Sequence, residues 1–132
     1  MKKICMIASI VAASFHASGA MAEDALKIGL TGALTGPVAG TYAPAVEGLR
    51  LYVDALNAGG GINGAMVELI LQDDGAEPSR AAANAKRFIT QDGVVMMINA
   101  SLSSTFAPSI AETTRAGVPL MFAASACQSL PM

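Results

Sequence analysis

The chain has no tryptophan, one histidine and two cysteines in 132 residues, and only 14% of its residues are charged. The histidine, His16, and one cysteine, Cys5, lie within the first twenty residues. The rest of the chain therefore has no cluster of histidine, cysteine and carboxylate at metal-ligand spacing, and neither a metal nor a cofactor is expected. Positive charge is scarce too. Beyond Lys2 and Lys3, six Lys and Arg stand against ten Asp and Glu. A nucleic-acid partner would call for a basic face, and none is expected here. No apolar run reaches the roughly 20 residues needed to span a bilayer, which argues against a membrane anchor.

What the N-terminus does contain is an ordered signal. Lys2 and Lys3 precede an apolar stretch from Ile4 to Phe15, Ala20-Met21-Ala22 has the small-x-small form, and Glu23-Asp24 opens a polar segment. This is the order of a cleavable secretory signal peptide, with cleavage expected after Ala22. Cys5 sits before the apolar core, so lipid attachment would not leave it at a new N-terminus. The predicted organisation is a signal peptide over 1–22 and part of a domain over 23–132. Cys127 is then the one cysteine left, and the favoured reading is that its partner lies in a missing C-terminal part. The last residues, Ser129 to Met132, follow an apolar run without a capping helix or polar tail. The chain is expected to be a fragment or a truncated gene product.

Residues 23–132 alternate strand-like and helix-like patterns. Leu26 to Thr31 reads as a first strand, followed by a glycine-rich loop from Gly32 to Thr41. Val46, Leu49, Val53 and Leu56 recur at helical steps within Tyr42 to Ala58. Gly59-Gly60-Gly61 supplies the left-handed residue that ends such a helix. Asn63-Gly64 is a turn signal. Met66 to Gln72 reads as a second strand, and Pro78 opens a second helix reaching Gln91. Val94 to Ile98 is apolar throughout, as in a parallel strand covered on both faces. A third helix over Ser104 to Ala116, capped by Ser103 or Ser104, leads to a fourth strand over Val118 to Phe122. This alternation predicts an α/β fold with a partial doubly wound parallel sheet. Right-handed crossovers favour the strand order second-first-third-fourth. Ligands bind at the switch in such an order, outside the C-terminal strand ends. The loops after strands one, three and four are therefore the candidate ligand loops.

Those loops offer hydroxyls, glycines and small side chains, but no histidine or lysine. Nucleophilic catalysis needs a base beside the nucleophile, so no catalytic residue and no enzyme activity is expected. Binding is better provided for. Ser103 and Ser104 open a helix, where free N–H groups and the helix dipole favour an anion such as a carboxylate, although simple capping explains them equally well. Gly32, Gly36 and Gly40 do not form a phosphate-binding motif. Asp73 and Asp74 point opposite ways on an extended chain and are read as a solvated strand end, away from the favoured loops. Arg80, Lys86 and Arg87 are read as a solvated helix face.

Three stretches carry a family resemblance: KIGLTGALTGPVAGTYAPAVEGLRLYVDALNAGGGING, VELILQDDGAEPSRAAANAKRFITQDGV and INASLSSTFAPSIAETTRAGVPLMFAASA. Together they resemble the Leu/Ile/Val-binding type of periplasmic solute-binding protein. The resemblance implies a periplasmic location and two α/β lobes that close on a hinge around a small solute. It also implies docking of the closed form on an ABC permease in the inner membrane. This chain would supply the first part of the N-terminal lobe.

By that resemblance, Ser103 bonds the ligand carboxylate, with Ser104 beside it, and the Ala124 carbonyl meets the ligand ammonium. Ala126 replaces a serine or threonine, with Ser125 adjacent, and Thr41 replaces a pocket aromatic, with Tyr42 adjacent. Ala76 and Leu102 stand where some members form a disulfide. The expected ligand is thus an amino acid, an amide or another small carboxylate, rather than leucine, isoleucine or valine in particular. The alternatives are a ligand-sensing module of the same fold and a fragment without function.

Overall fold

The computed structural model describes residues 25–123. The proposed signal peptide, the segment Ala124 to Ala126 and Cys127 lie outside them. Four strands and three α-helices alternate: β1 Leu26–Gly32, α1 Ala39–Ala58, β2 Val67–Asp73, α2 Pro78–Arg87, β3 Met96–Ala100, α3 Phe106–Ala116 and β4 Leu120–Phe122. The strands form one parallel sheet in the order β2-β1-β3-β4. Both the α/β class and the strand order agree with the sequence. Among the described residues no helix is long and apolar enough to cross a membrane.

The sheet separates two apolar layers, because successive side chains of a strand face opposite sides. On one side Leu30, Ile98 and Ala100 pack with Val46 of α1. On the other, Met97 and Val94 pack with Ala85 and Phe88, at the C-terminal end of α2 and just beyond it. Gly29 makes this second layer possible. A Cβ there would lie 2.6 Å from Cγ of Phe88, so only a bare backbone lets the buried ring rest on β1. Phe106 and Phe122 join α3 to β4 with ring centroids 4.3 Å apart.

Several boundaries move, each for a local reason. Helix α1 begins three residues earlier than its apolar pattern, so Gly32 to Thr41 is not all loop. Its apolar periodicity starts late because the first turns are largely exposed and include Pro44. The helix ends in a Schellman arrangement. Gly60, at φ +103°, donates to Asn57 O, and Gly61 donates to Leu56 O. Asn63 and Gly64 both have positive φ and close the tight turn between Ile62 and Ala65. The second helix leaves α geometry at Phe88 and widens into a π turn through Asp92, ending at left-handed Gly93.

Strand β3 starts two residues later than expected and extends through Ala100. Val94 belongs to the core rather than to the strand pairing, which begins at Ile28 opposite Met96. Strand β4 is shortened from Val118–Phe122 to Leu120–Phe122. Pro119 has no N–H to give and only accepts, from Met97 N.

Candidate functional site

The C-terminal ends of β1 and β3 lie side by side, and the segments leaving them form the candidate site. After β3 the chain makes a single 3-10 turn, Ser103–Thr105, and runs directly into α3. Ser103 and Ser104 are exposed on this turn. Neither serves as the expected cap: Leu102 precedes the turn, Thr105 precedes α3, and no side chain caps either start. The capping explanation therefore does not account for the two serines.

What holds the turn is a buried polar cluster below it. Asn99, fully buried at the end of β3, donates to Thr105 Oγ1 at 3.0 Å and to Ser109 Oγ at 2.9 Å. The Thr105 hydroxyl donates to Leu102 O at 2.7 Å, and that of Ser109 to Thr105 O at 2.9 Å. Every member of this chain of hydrogen bonds has a partner, which makes such a buried network rigid. Asn99 lies one residue past the predicted strand end at Ile98. It is a strand residue instead, since β3 runs two residues further.

On the β1 side, Thr41 lies in the first turn of α1 rather than on a loop, and Tyr42 follows it in the helix as expected. Thr41 is exposed, whereas Tyr42 is 7% exposed and belongs to the core. Helix α1, which carries Thr41, follows β1, and the Ser103–Thr105 turn follows β3, so both elements come after C-terminal ends of the central strands. Ala124, Ser125 and Ala126 follow the last described residue, so the third candidate loop is outside the structure described.

The two aspartates overturn the reading of a solvated strand end. Asp74 is fully buried. One carboxylate oxygen accepts from Thr31 Oγ1 at 2.9 Å. The other accepts from Ser101 Oγ at 2.7 Å and from Ala76 N at 2.8 Å. Asp73 points the other way, as the pleat requires, into the segment after β1. It accepts from Leu34 N at 3.0 Å, Thr35 N at 3.2 Å, Thr35 Oγ1 at 2.5 Å and Gly75 N at 2.9 Å. Burial pushes the Asp73 carboxyl pKa up. The Thr35 hydroxyl and the Gly75, Thr35 and Leu34 N–H groups more than offset that and lower it from 3.8 to about 2.

The solvated-face reading of α2 is corrected in part. Arg80 reaches back to Asp73, with Nη2 3.3 Å from Oδ2 and 3.0 Å from the backbone carbonyl. Arg87 Nε lies 3.4 Å from Asp92 Oδ2. Lys86 remains exposed.

A separate cleft of about 160 Å³ opens between α1 and the sheet, lined by residues including Leu30, Leu49, Ile98 and Met121. Its lining is apolar throughout and offers no group to orient a charged solute. Among the described residues no group of three or more His, Cys, Asp and Glu is placed to hold a metal ion.

A parallel sheet with the site outside the C-terminal ends of its two central strands is the arrangement of an α/β ligand-binding lobe. The profile of the family described as "Periplasmic binding protein" matches residues 25–130, and the chain belongs to that family. It is similar to the leucine-, isoleucine-, valine-, threonine- and alanine-binding protein of Pseudomonas aeruginosa. The two are 36% identical over 103 residues, 78% of this chain and 27% of that protein. It is 37% identical to the leucine-specific-binding protein of Salmonella typhimurium over the same shares.

Among solved structures it resembles the branched-chain amino acid transporter substrate binding protein LivJ from Streptococcus pneumoniae, in complex with isoleucine. The TM-score is 0.71 at 33% identity, over 74% of this chain and 28% of that one. It also resembles an ABC-transporter solute binding protein from Rhodopseudomonas palustris in complex with 3,4-dihydroxy benzoic acid. There the TM-score is 0.69 at 28% identity, over 76% of this chain and 27% of that one. The chain thus spans little more than a quarter of the length of these relatives.

Proposed function

We propose that this chain forms the solute-receiving part of a periplasmic substrate-binding protein that serves an ABC importer. In this reading residues 1–22 direct export and are cleaved after Ala22, and residues 23–132 form the first part of the N-terminal lobe. The solute is a small carboxylate, an amino acid or a related acid. Its carboxylate sits at Ser103 and Ser104, with Thr41 at the edge and Ala124 to Ala126 contributing from the loop after β4.

The observation that carries this reading is the exposed serine turn on a rigid base. Its two hydroxyls serve no cap, and it stands at the N-terminal end of α3, where backbone N–H groups and the helix dipole favour an anion. The ligands named for two relatives point the same way. Isoleucine and 3,4-dihydroxy benzoic acid have different side groups but share a carboxylate. The closed pocket, by the family resemblance, needs a second lobe on the far side of the ligand. The described half is therefore expected to bind weakly, in the millimolar range, and docking on a permease belongs to the two-lobed form.

The test is an amide chemical-shift titration of this chain with L-leucine, L-isoleucine and 3,4-dihydroxybenzoate, with leucinamide as the carboxylate-free control. The acids should move the Ser103 and Ser104 signals at millimolar concentration, and leucinamide should not. Equal responses to leucine and leucinamide would remove the carboxylate from the reading. Silence at both serines up to tens of millimolar acid would remove the site. Calorimetry that found tight leucine binding to this chain alone would refute the need for a second lobe.

A further inference from the structure

Asp74 touches nothing outside the protein, yet it joins both halves of the candidate site. One oxygen holds Thr31, in the strand that leads to the segment after β1. The other holds Ser101, the first residue after β3 and two positions before Ser103. Its own backbone N–H donates to Gly32 O at 2.9 Å, so the residue is pinned to the end of β1 by main chain as well. Thr31 Oγ1 in turn accepts from Asn84 Nδ2 at 3.0 Å, which leaves its proton committed to Asp74. The Asn99 cluster fixes the shape of the serine turn from within. Asp74 supplies the side-chain link that ties the start of that turn to the neighbouring strand.

From this geometry we propose that Asp74 is a positioning residue. It sets where the Ser103–Ser104 turn stands relative to β1, and solute affinity depends on a carboxylate that the solute never meets. The proposal deepens the receptor reading and rests on it for its consequence in binding, but its geometric part is tested without any ligand. An amide has one acceptor oxygen where a carboxylate has two. Asp74→Asn therefore takes the charge out of both links and obliges either Thr31 or Ser101 to accept from the amide NH2 instead of donating. Ser101→Ala removes only the link to the turn and serves as the milder variant if Asp74→Asn folds poorly.

The experiment is residue-resolved amide hydrogen exchange on the 132-residue chain. The wild type is compared with Asp74→Asn, Ser101→Ala and the pair together. Val53→Ala, a core change on α1 that touches neither the Asp74 nor the Ser101 hydrogen bonds, is the control for general destabilisation. Weakening hydrogen bonds to a charged group should speed exchange roughly tenfold or more in Asp74→Asn at Thr105 and Phe106, whose N–H groups close the turn on Leu102 O and Ser103 O. The amides of α1 should exchange as in the wild type. Ser101→Ala should reproduce the change at the turn, and the double variant should add little to it. L-leucine titrated into Asp74→Asn should also give a weaker response at Ser103.

Turn exchange that stays at the wild-type rate in both single variants overturns the proposal. So does a rise spread evenly over the chain, as in Val53→Ala. If the exchange contrast appears but the wild type shows no leucine response, the positioning role stands and the receptor reading is what fails.

Discussion

Replacing Asp73 by Asn should remove an amount of stability that depends on pH in a definite direction. The folded carboxyl titrates at about 2 instead of 3.8, because the Thr35 hydroxyl and three backbone N–H groups favour its charged form over the opposing effect of burial. Taken in full, that difference is worth roughly 2 kcal/mol. The side chain is 24% exposed and its Arg80 partner 52%, so solvent screening reduces the figure to about 1–2 kcal/mol. A carboxylate with a depressed folded pKa stabilises the fold above its unfolded pKa, and that contribution disappears as pH falls through the folded value. Wild type and Asp73→Asn should therefore differ by about 1–2 kcal/mol near neutral pH. The gap should narrow below about pH 4 and be mostly gone near pH 2. Urea unfolding followed by circular dichroism measures it, as a shift in midpoint at unchanged slope. A gap that persists at full size near pH 2 would show that packing, not the charged hydrogen bonds, is what Asp73 supplies. No gap at neutral pH would remove the role altogether.

Gly29→Ala should destabilise by about 1–3 kcal/mol, since the new methyl group meets the buried Phe88 ring and either the ring or β1 must shift; a thermal melt indistinguishable from wild type would refute that packing. Asn57 bridges α1 to β2 by donating to Val67 O and accepting from Val67 N, both at 2.8 Å. Asn57→Ala strands both groups and should cost about 1–3 kcal/mol in urea unfolding. Ala76 holds a left-handed φ of +66° beside the Asp74 carboxylate. Ala76→Gly should relieve roughly 1 kcal/mol of that strain and raise the melting temperature, and an unchanged or lowered temperature would count against it.

The strands and loops that frame the candidate site were legible, and much of the buried construction beneath them was not. Ser103 and Ser104 stood out because two hydroxyls at a helix start form a local signal. The polar base beneath them was hidden for a definite reason. Asn99 follows a run of apolar residues and looks like a loop opener until pairing with β1 carries the strand through Ala100. Asp74 looks like a surface charge because burial is a property of neighbours, and its neighbours Thr31 and Ser101 lie 43 and 27 residues away in the chain. Thr41 reads as the end of a loop because glycine and proline precede it, but the helix starts before its apolar stripe does.

Local chemistry in the sequence was enough to determine the order of strands and helices, the tight turn at Asn63-Gly64, the glycine stop after α1 and the parallel α/β class. Each depends on contacts within a few residues or on a periodicity that repeats. Strand order followed as well, because short crossovers and a fixed hand leave few arrangements. Tertiary structure alone decided which polar residues are buried in the fold and which stay exposed at the candidate site. It buried Asp74 and Asn99 beneath the serine turn, turned Asp73 onto the segment after β1, took Tyr42 into the core and left Ser103 and Ser104 exposed. Those assignments are set by partners far apart in the chain, and a carboxylate or an amide carries no local mark of whether a hydroxyl or water will meet it.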